Sequence, residues 1–410
     1  MLEKTAADRA ARRHRLAAFG PAFVAAIAYV DPGNFATNFA AGAGFGYLLL
    51  WVIVAANAIA MFIQSLSAKL GLATGASLPE LCRRHYRRPV VLGLWVQAEL
   101  VAVATDVAEV VGGAIALQLL FGLPLFTGGV ITGVVAIALL AVQRRGDRRF
   151  AGAVGGLFAV ILAGFAVMLL RTGLDPGAAL AGLVPRLHGA TSLLLAVGIL
   201  GATVMPHAIY LHSALAPQGL ANSSPARRRA ALRGQRADVV VAMSLAGLVN
   251  AAMLVVAAAL FAGAGVAAAD TLAGAHAALA ATLGTSAAVV FAVALLASGF
   301  ASASVGTYAG QVIMSGFLHR QIPLMLRRVL TLLPALAVLG LGVEPTGALV
   351  ISQVALSFGI PFALVPLVAL TRRADVMGDL VNRRSTTGWA VLVTIVVVAL
   401  NGVLLASLLR

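Results

Sequence analysis

Ala28-Tyr29-Val30-Asp31-Pro32-Gly33-Asn34-Phe35 interrupts an otherwise apolar run that extends from Phe19 to Ala40. At about 1.5 Å of rise per residue, such a run is long enough as a helix to cross a hydrocarbon core of roughly 30 Å. Asp31 then lies deep in the span, where a carboxylate is expensive and needs a reason. Pro32 has no backbone donor and clashes with the preceding turn, and Gly33 tolerates almost any backbone angle, so together they break the helix. The break leaves free carbonyls beside Asp31 and Asn34. At membrane depth such backbone persists only where it lines an enclosed or watery cavity. The competing reading is a proline-kinked helix with Asp31 capping its second half, but an ionisable residue at the kink favours a ligand site.

Composition agrees with a membrane setting. The chain of 410 residues is 61% hydrophobic and only 10% charged, with 43 glycines, which is too apolar for a soluble domain of this size. The fold class is therefore all-α and polytopic. A formal net charge of +15 raises the question of nucleic acid, but aromatic and basic residues are not interleaved and the basic residues fall in alternate loops. Cys82 is the sole cysteine, so neither an intramolecular disulfide nor a cysteine metal cluster is available. Lys4, Arg9, Arg12, Arg13 and Arg15 mimic the charged region of a signal peptide. The apolar run behind them continues through Asp31 without a cleavage pattern, and reads as a first retained helix.

Apolar stretches lie near 19–41, 46–70, 89–121, 124–142, 150–170, 190–215, 238–263, 285–318, 323–343, 346–371 and 387–409, an expectation of eleven spans. With the N-terminus inside, every one of the 29 basic residues except Arg171, Arg186 and Arg410 falls on one side. This asymmetry predicts a cytoplasmic N-terminus and an external C-terminus. Short loops point to a prokaryotic inner membrane, and the excess of Arg over Lys to a GC-rich genome. The Gly42–Gly46 stretch reads as a tight outer turn.

A second break echoes the first. Ala202-Thr203-Val204-Met205-Pro206-His207 places a proline in mid-span, and overlaid on Ala28–Pro32 it shares the pattern A-x-V-x-P. An odd number of helices separates the two segments, so the second half enters from the opposite side. The arrangement predicts inverted repeats at about 16–171 and 190–371, five helices each, with an extra helix at about 387–409. Paired broken helices in corresponding positions are the sequence pointer to a transporter's binding site.

The DPGN of the first break, the MPHAIYLHSAL run beginning at Met205 and the AGQVIMSGFL run from Ala309 to Leu318 resemble signatures of the Nramp family, proton-coupled transporters of transition metals. The resemblance covers essentially the whole chain. It implies the LeuT-type fold, alternating access and import of Mn²⁺ or Fe²⁺, with Cd²⁺ and Co²⁺ also accepted. It further implies metal ligands at Asp31, Asn34, Met205 and the Ala202 carbonyl, joined by Gln353 in some conformations. Protons and the bilayer are the other partners implied, with no resident cofactor, no enzyme activity and no obligate protein partner.

The residues support a metal independently. Asp31 supplies charge, Asn34 and freed carbonyls supply hard oxygens, and Met205 supplies a soft thioether, a set that favours Mn²⁺, Fe²⁺ and softer ions over Mg²⁺ and Ca²⁺. Core packing is the ordinary role of a buried Met, but adjacency to Pro206 opposite Asp31 argues for a ligand. Glu99, Asp106 and Glu109 fall within about 80 degrees on one face of the third span, a candidate proton relay with Arg327 and Arg328 as partners. A static ion-pair network fits their spacing equally, and the resemblance favours the relay. His207, next to Pro206, is placed near Asp31 as a proton carrier, and His212 points elsewhere. Tyr29, Asn57, Gln64, Asn250 and Asn401 either line the route or join helices. Rival functions are a symporter of the same fold for an amino acid or organic cation and an intramembrane hydrolase. Asp31 beside a thioether disfavours the first, and no catalytic motif supports the second.

Overall fold

The computed structural model describes residues 20–143, 147–216, 223–262, 271–320 and 323–409, and among these there is no strand. Lys4 to Arg15, Arg144, Arg145, Arg410, the start of the first repeat at 16 and the first residue of the first stretch at 19 lie outside the described residues. The helices are α1 (Pro21–Ala28), α2 (Pro32–Phe45), α3 (Leu50–Thr74), α4 (Leu78–His85), α5 (Arg88–Phe121) and α6 (Leu125–Gln143). Next come α7 (Asp147–Thr172), α8 (Pro176–Ala181), α9 (Gly189–Thr203), α10 (Pro206–Leu215), α11 (Pro225–Phe261) and α12 (Leu272–Leu283). The remainder are α13 (Thr285–Leu318), α14 (Leu324–Gly340), α15 (Pro345–Thr371), α16 (Ala374–Met377) and α17 (Arg384–Leu408).

All eleven expected stretches coincide with helix, two of them as broken pairs, α1/α2 and α9/α10. By length and hydropathy alone, 8 helical segments among the described residues suffice to cross a membrane. Others, such as α6, have too short an apolar stretch, and α1 is only 8 residues long. The chain is a multi-pass membrane protein.

Hydropathy did not foresee four short helices, α4, α8, α12 and α16, because each is too brief or too polar to stand out as a span. α11 starts at Pro225, well before the expected 238, because Ser224 caps it by accepting from the Arg227 amide and Pro225 occupies its first turn. Arg227, Arg228, Arg229, Arg233 and Arg236 therefore stand on a helix rather than in a loop. The expected turn at Gly42–Gly46 is also corrected: α2 continues through Phe45, and only Gly46 takes the left-handed φ of 59°. Gly42 serves packing instead, since a Cβ there would lie 2.4 Å from the Leu254 carbonyl of α11.

Close helix approach fixes the two breaks within the buried core. A Cβ on Gly112 of α5 would lie 2.0 Å from Pro32 Cβ, and one on Gly201 of α9 would lie 1.9 Å from the Gln353 carbonyl of α15. Gly359 of α15 receives the Pro206 ring in the same way, 3.2 Å from where its Cβ would be. Small residues at these crossings let backbones meet where lipid supplies no hydrophobic driving force between helices. On the other side of α2, Phe35 and Phe39 stack edge-on or tilted against Phe165 of α7 and Phe291 of α13, with centroids 5.0–6.4 Å apart.

Candidate functional site

At the first break α1 ends at Ala28 and α2 begins at Pro32, with Asp31 as its N-cap in extended conformation, φ −81° and ψ 168°. Asp31 Oδ1 accepts from the Asn34 amide at 2.8 Å and from Asn34 Nδ2 at 2.7 Å. The capping and ligand-site readings thus describe the same carboxylate. Asp31 is fully buried, and no cation is bonded to it among the described residues. A desolvated anion held only by amides is a site that attracts a cation.

The carbonyls freed here do not all face Asp31, contrary to the expectation. The Tyr29 carbonyl accepts from Asn250 Nδ2 of α11 at 2.8 Å, and the Val30 carbonyl accepts from Ser298 Oγ of α13 at 2.6 Å. Both are spent on holding the break, as buried backbone groups demand.

The second break supplies the carbonyl that the first does not. In a continuous helix the Ala202 carbonyl would accept from residue 206, but Pro206 has no N–H. The freed oxygen accepts instead from Asn34 Nδ2 at 3.1 Å, linking the breaks across 168 positions of sequence. Met205 is fully buried and extended at the N-cap of α10 with φ −68° and ψ 122°. From α15, Gln353 Nε2 donates to Asp31 Oδ2 at 3.2 Å. Asn34 Oδ1, Gln353 Oε1 and Thr203 Oγ1 are buried without a partner among the described residues. Two of these oxygens belong to the amides that donate to Asp31, so either amide could turn an acceptor toward a cation. No group of three or more His, Cys, Asp or Glu side chains among the described residues is arranged to hold a metal. Asp31, Asn34 and the Ala202 carbonyl, which hydrogen bonds join, could hold one through a single anion.

The carboxylates of α5 meet the arginines of α14. Glu99 takes a bidentate pair from Arg327, 3.1 Å to Oε1 and 2.7 Å to Oε2. Asp106 Oδ1 accepts from Arg328 Nη1 at 2.5 Å, and that nitrogen also donates to Thr307 Oγ1 at 3.2 Å. Among the described residues Glu109 has no arginine bonded to it, and its Oε2 has no partner. It faces Gly306 of α13, where a Cβ would sit 2.8 Å from Oε1.

Residues 22–407 match the family model described as natural resistance-associated macrophage protein-like. The chain belongs to the Nramp family. It is 54% identical over 410 residues to the divalent metal cation transporter MntH of Deinococcus radiodurans, covering 100% of this chain and 93% of that one. It is 47% identical over 392 residues to the MntH of Bacillus subtilis, covering 95% and 92%. Its fold matches the crystal structure of the Eremococcus coleocola manganese transporter in complex with an aromatic bis-isothiourea substituted compound. The TM-score is 0.85 at 34% identity, covering 95% of this chain and 86% of that chain. A nucleobase-cation-symport-1 transporter, Mhp1, matches with a TM-score of 0.62 at 16% identity, a likeness of the LeuT-type fold alone.

In this Nramp chain His207 is placed against α5, with Nδ1 3.3 Å from Thr105 Oγ1 and Nε2 unpartnered. It makes no hydrogen bond to Asp31 among the described residues, and its bonded neighbour Thr105 lies on the helix of the carboxylates. His212 does point elsewhere, to Gln64 Oε1 at 2.8 Å, and Gln64 Nε2 in turn donates to the Tyr29 hydroxyl. Asn401 joins helices, bonding Ser357 of α15. Sequence reasoning missed Ser298 and Gly112. A serine or glycine in an apolar helix is a common residue, and only the long-range contact distinguishes these.

Proposed function

We propose that the protein imports divalent transition metal ions, Mn²⁺ and Fe²⁺ foremost, in symport with protons by alternating access. The observation that carries this reading is the buried Asp31 carboxylate, joined through Asn34 to the carbonyl that Pro206 frees at Ala202. The metal is cargo, held by Asp31, the Ala202 carbonyl, Met205 and Asn34. The Asn34 amide turns to present Oδ1 in place of Nδ2, and Gln353 joins by the same rotation. Each rotation exchanges a donor for an acceptor without moving backbone. Dehydrating a dication then requires the one full negative charge that Asp31 provides. Protons travel by Glu109, Asp106 and Glu99 with His207, and Arg327 and Arg328 keep the outer carboxylates charged.

The helix breaks are counterparts in inverted repeats of about 16–171 and 190–371, followed by the extra helix α17. The protein resides in a bacterial inner membrane with its N-terminus cytoplasmic and C-terminus external, supported by the one-sided distribution of arginines. No cofactor beyond the transported ions enters the scheme. The test is ⁵⁴Mn²⁺ uptake into proteoliposomes under an inward proton gradient, with calorimetric Mn²⁺ binding to the detergent-purified protein. Asp31→Asn is expected to abolish both. Wild-type affinity in that variant would place the metal elsewhere.

A further inference from the structure

A cavity of about 690 Å³ opens where the start of α5, the end of α13 and the helix α4 meet, remote in sequence from both breaks. Its wall is divided by chemistry. Arg83, Arg88 and Arg320 contribute the polar part, whereas Leu92, Trp95 and Phe317 contribute an apolar part. Among the described residues none of these three arginines pairs with a carboxylate. That contrasts with Arg327, Arg328 and Arg373, each of which has one. Uncompensated arginines converging on one cavity repel each other unless an anion neutralises them. The 34-residue α5 adds to the positive potential, because it begins at Arg88 with no side-chain cap on its first amides. Beyond the arginines, Leu92 is 39% exposed, so the apolar wall continues from the cavity onto the outer surface of α5.

We infer that this cavity is a binding site for an anionic phospholipid, with its phosphate held by Arg83, Arg88 and Arg320 and its acyl chain lying along Leu92 and Trp95. A free phosphate would use the arginines and leave the apolar wall wet, whereas a zwitterionic lipid would bring its own ammonium into the arginine cluster. Basic pockets between membrane helices at the cytoplasmic interface are suited to anionic headgroups, and the proposed orientation puts these arginines on that side. Trp95 also donates from Nε1 to Glu99 Oε1 at 3.1 Å, and Glu99 holds Arg327. The lipid would therefore rest against the outermost member of the carboxylate row.

The test is native mass spectrometry of the full chain, titrated with phosphatidylglycerol, with phosphatidylcholine or with phosphatidylglycerol plus excess inorganic phosphate. Wild type is expected to retain one phosphatidylglycerol in preference to phosphatidylcholine, undisturbed by phosphate. Arg83→Gln, Arg88→Gln and Arg320→Gln together should weaken that binding on the order of 100-fold. Removing three exposed arginines elsewhere, Arg229→Gln, Arg233→Gln and Arg384→Gln, should leave it unchanged. Leu92→Trp, which narrows the apolar wall and removes no charge, should also weaken it, and keeps the test open if the arginine triple variant does not fold. Equal binding of phosphatidylcholine, displacement by phosphate, or equal losses in both triple variants would each overturn the assignment. Transport is not the readout, so failure here leaves the metal site untouched.

Discussion

Replacing Gly112 by alanine tests whether the first break is held in place by α5 rather than by its own backbone. The added Cβ would stand 2.0 Å from Pro32 Cβ and 2.4 Å from Cγ. Carbon atoms in contact prefer about 3.5–4.0 Å, so one side must give by roughly 1.5 Å. Neither side yields easily: the proline ring is rigid with its φ fixed, and residue 112 lies in mid-helix. Pro32 is covalently next to Asp31, and a shift of that size exceeds what the 2.7 and 3.1 Å bonds from Asn34 Nδ2 to Asp31 and Ala202 can absorb. Overpacking of this kind costs about 1–3 kcal/mol. If all of that strain fell on the metal-bound state, the loss would reach roughly 5- to 150-fold in Kd for Mn²⁺. Gly93→Ala is the control, because it lies on the same helix with nothing within 4 Å of the new Cβ. It should leave binding unchanged and stabilise α5 by up to about 1 kcal/mol. Calorimetric Mn²⁺ titration of both variants, with melting temperatures, makes the comparison. Wild-type affinity and stability in Gly112→Ala would refute the idea that the α5 contact positions the site.

Met205→Ala should leave Mn²⁺ transport largely working, because water can fill the vacancy, while weakening Cd²⁺ and admitting more Ca²⁺. Competition of Ca²⁺ against ⁵⁴Mn²⁺ uptake measures this, and unchanged discrimination would reduce Met205 to packing. Asp106→Asn leaves the fully buried Arg328 without its counter-charge, which costs about 3–5 kcal/mol. It should lower thermal stability and change proton uptake and its pH profile more than Mn²⁺ affinity; the reverse pattern would exchange the roles of Asp106 and Asp31. Cys82 is buried on α4, and burial pushes its thiol up to about 12. Maleimide labelling of the folded protein at pH 7 should thus be negligible, and should become complete on denaturation.

The sequence by itself determined the helical membrane class, the positions of the two breaks and the residues that flank them. These follow from local properties: hydropathy summed over a span, and the missing N–H of Pro32 and Pro206, which act wherever the chain goes. The row of Glu99, Asp106 and Glu109 was likewise legible, because helical periodicity alone aligns them; of the two expected partners, the structure gives Arg327 to Glu99 and Arg328 to Asp106. Only the tertiary structure decided where each freed carbonyl turns. Tyr29 and Val30 are satisfied by Asn250 and Ser298 from more than 200 positions away, so those oxygens are withdrawn from the site, whereas the Ala202 carbonyl meets Asn34. It also set His207 against Thr105, and brought Arg83, Arg88 and Arg320 to one cavity. A broken backbone announces an unmet hydrogen bond in the sequence, but the group that meets it is chosen by which helices can approach. That approach is governed by single glycines such as Gly112 and Gly201, whose importance lies in the neighbour they admit.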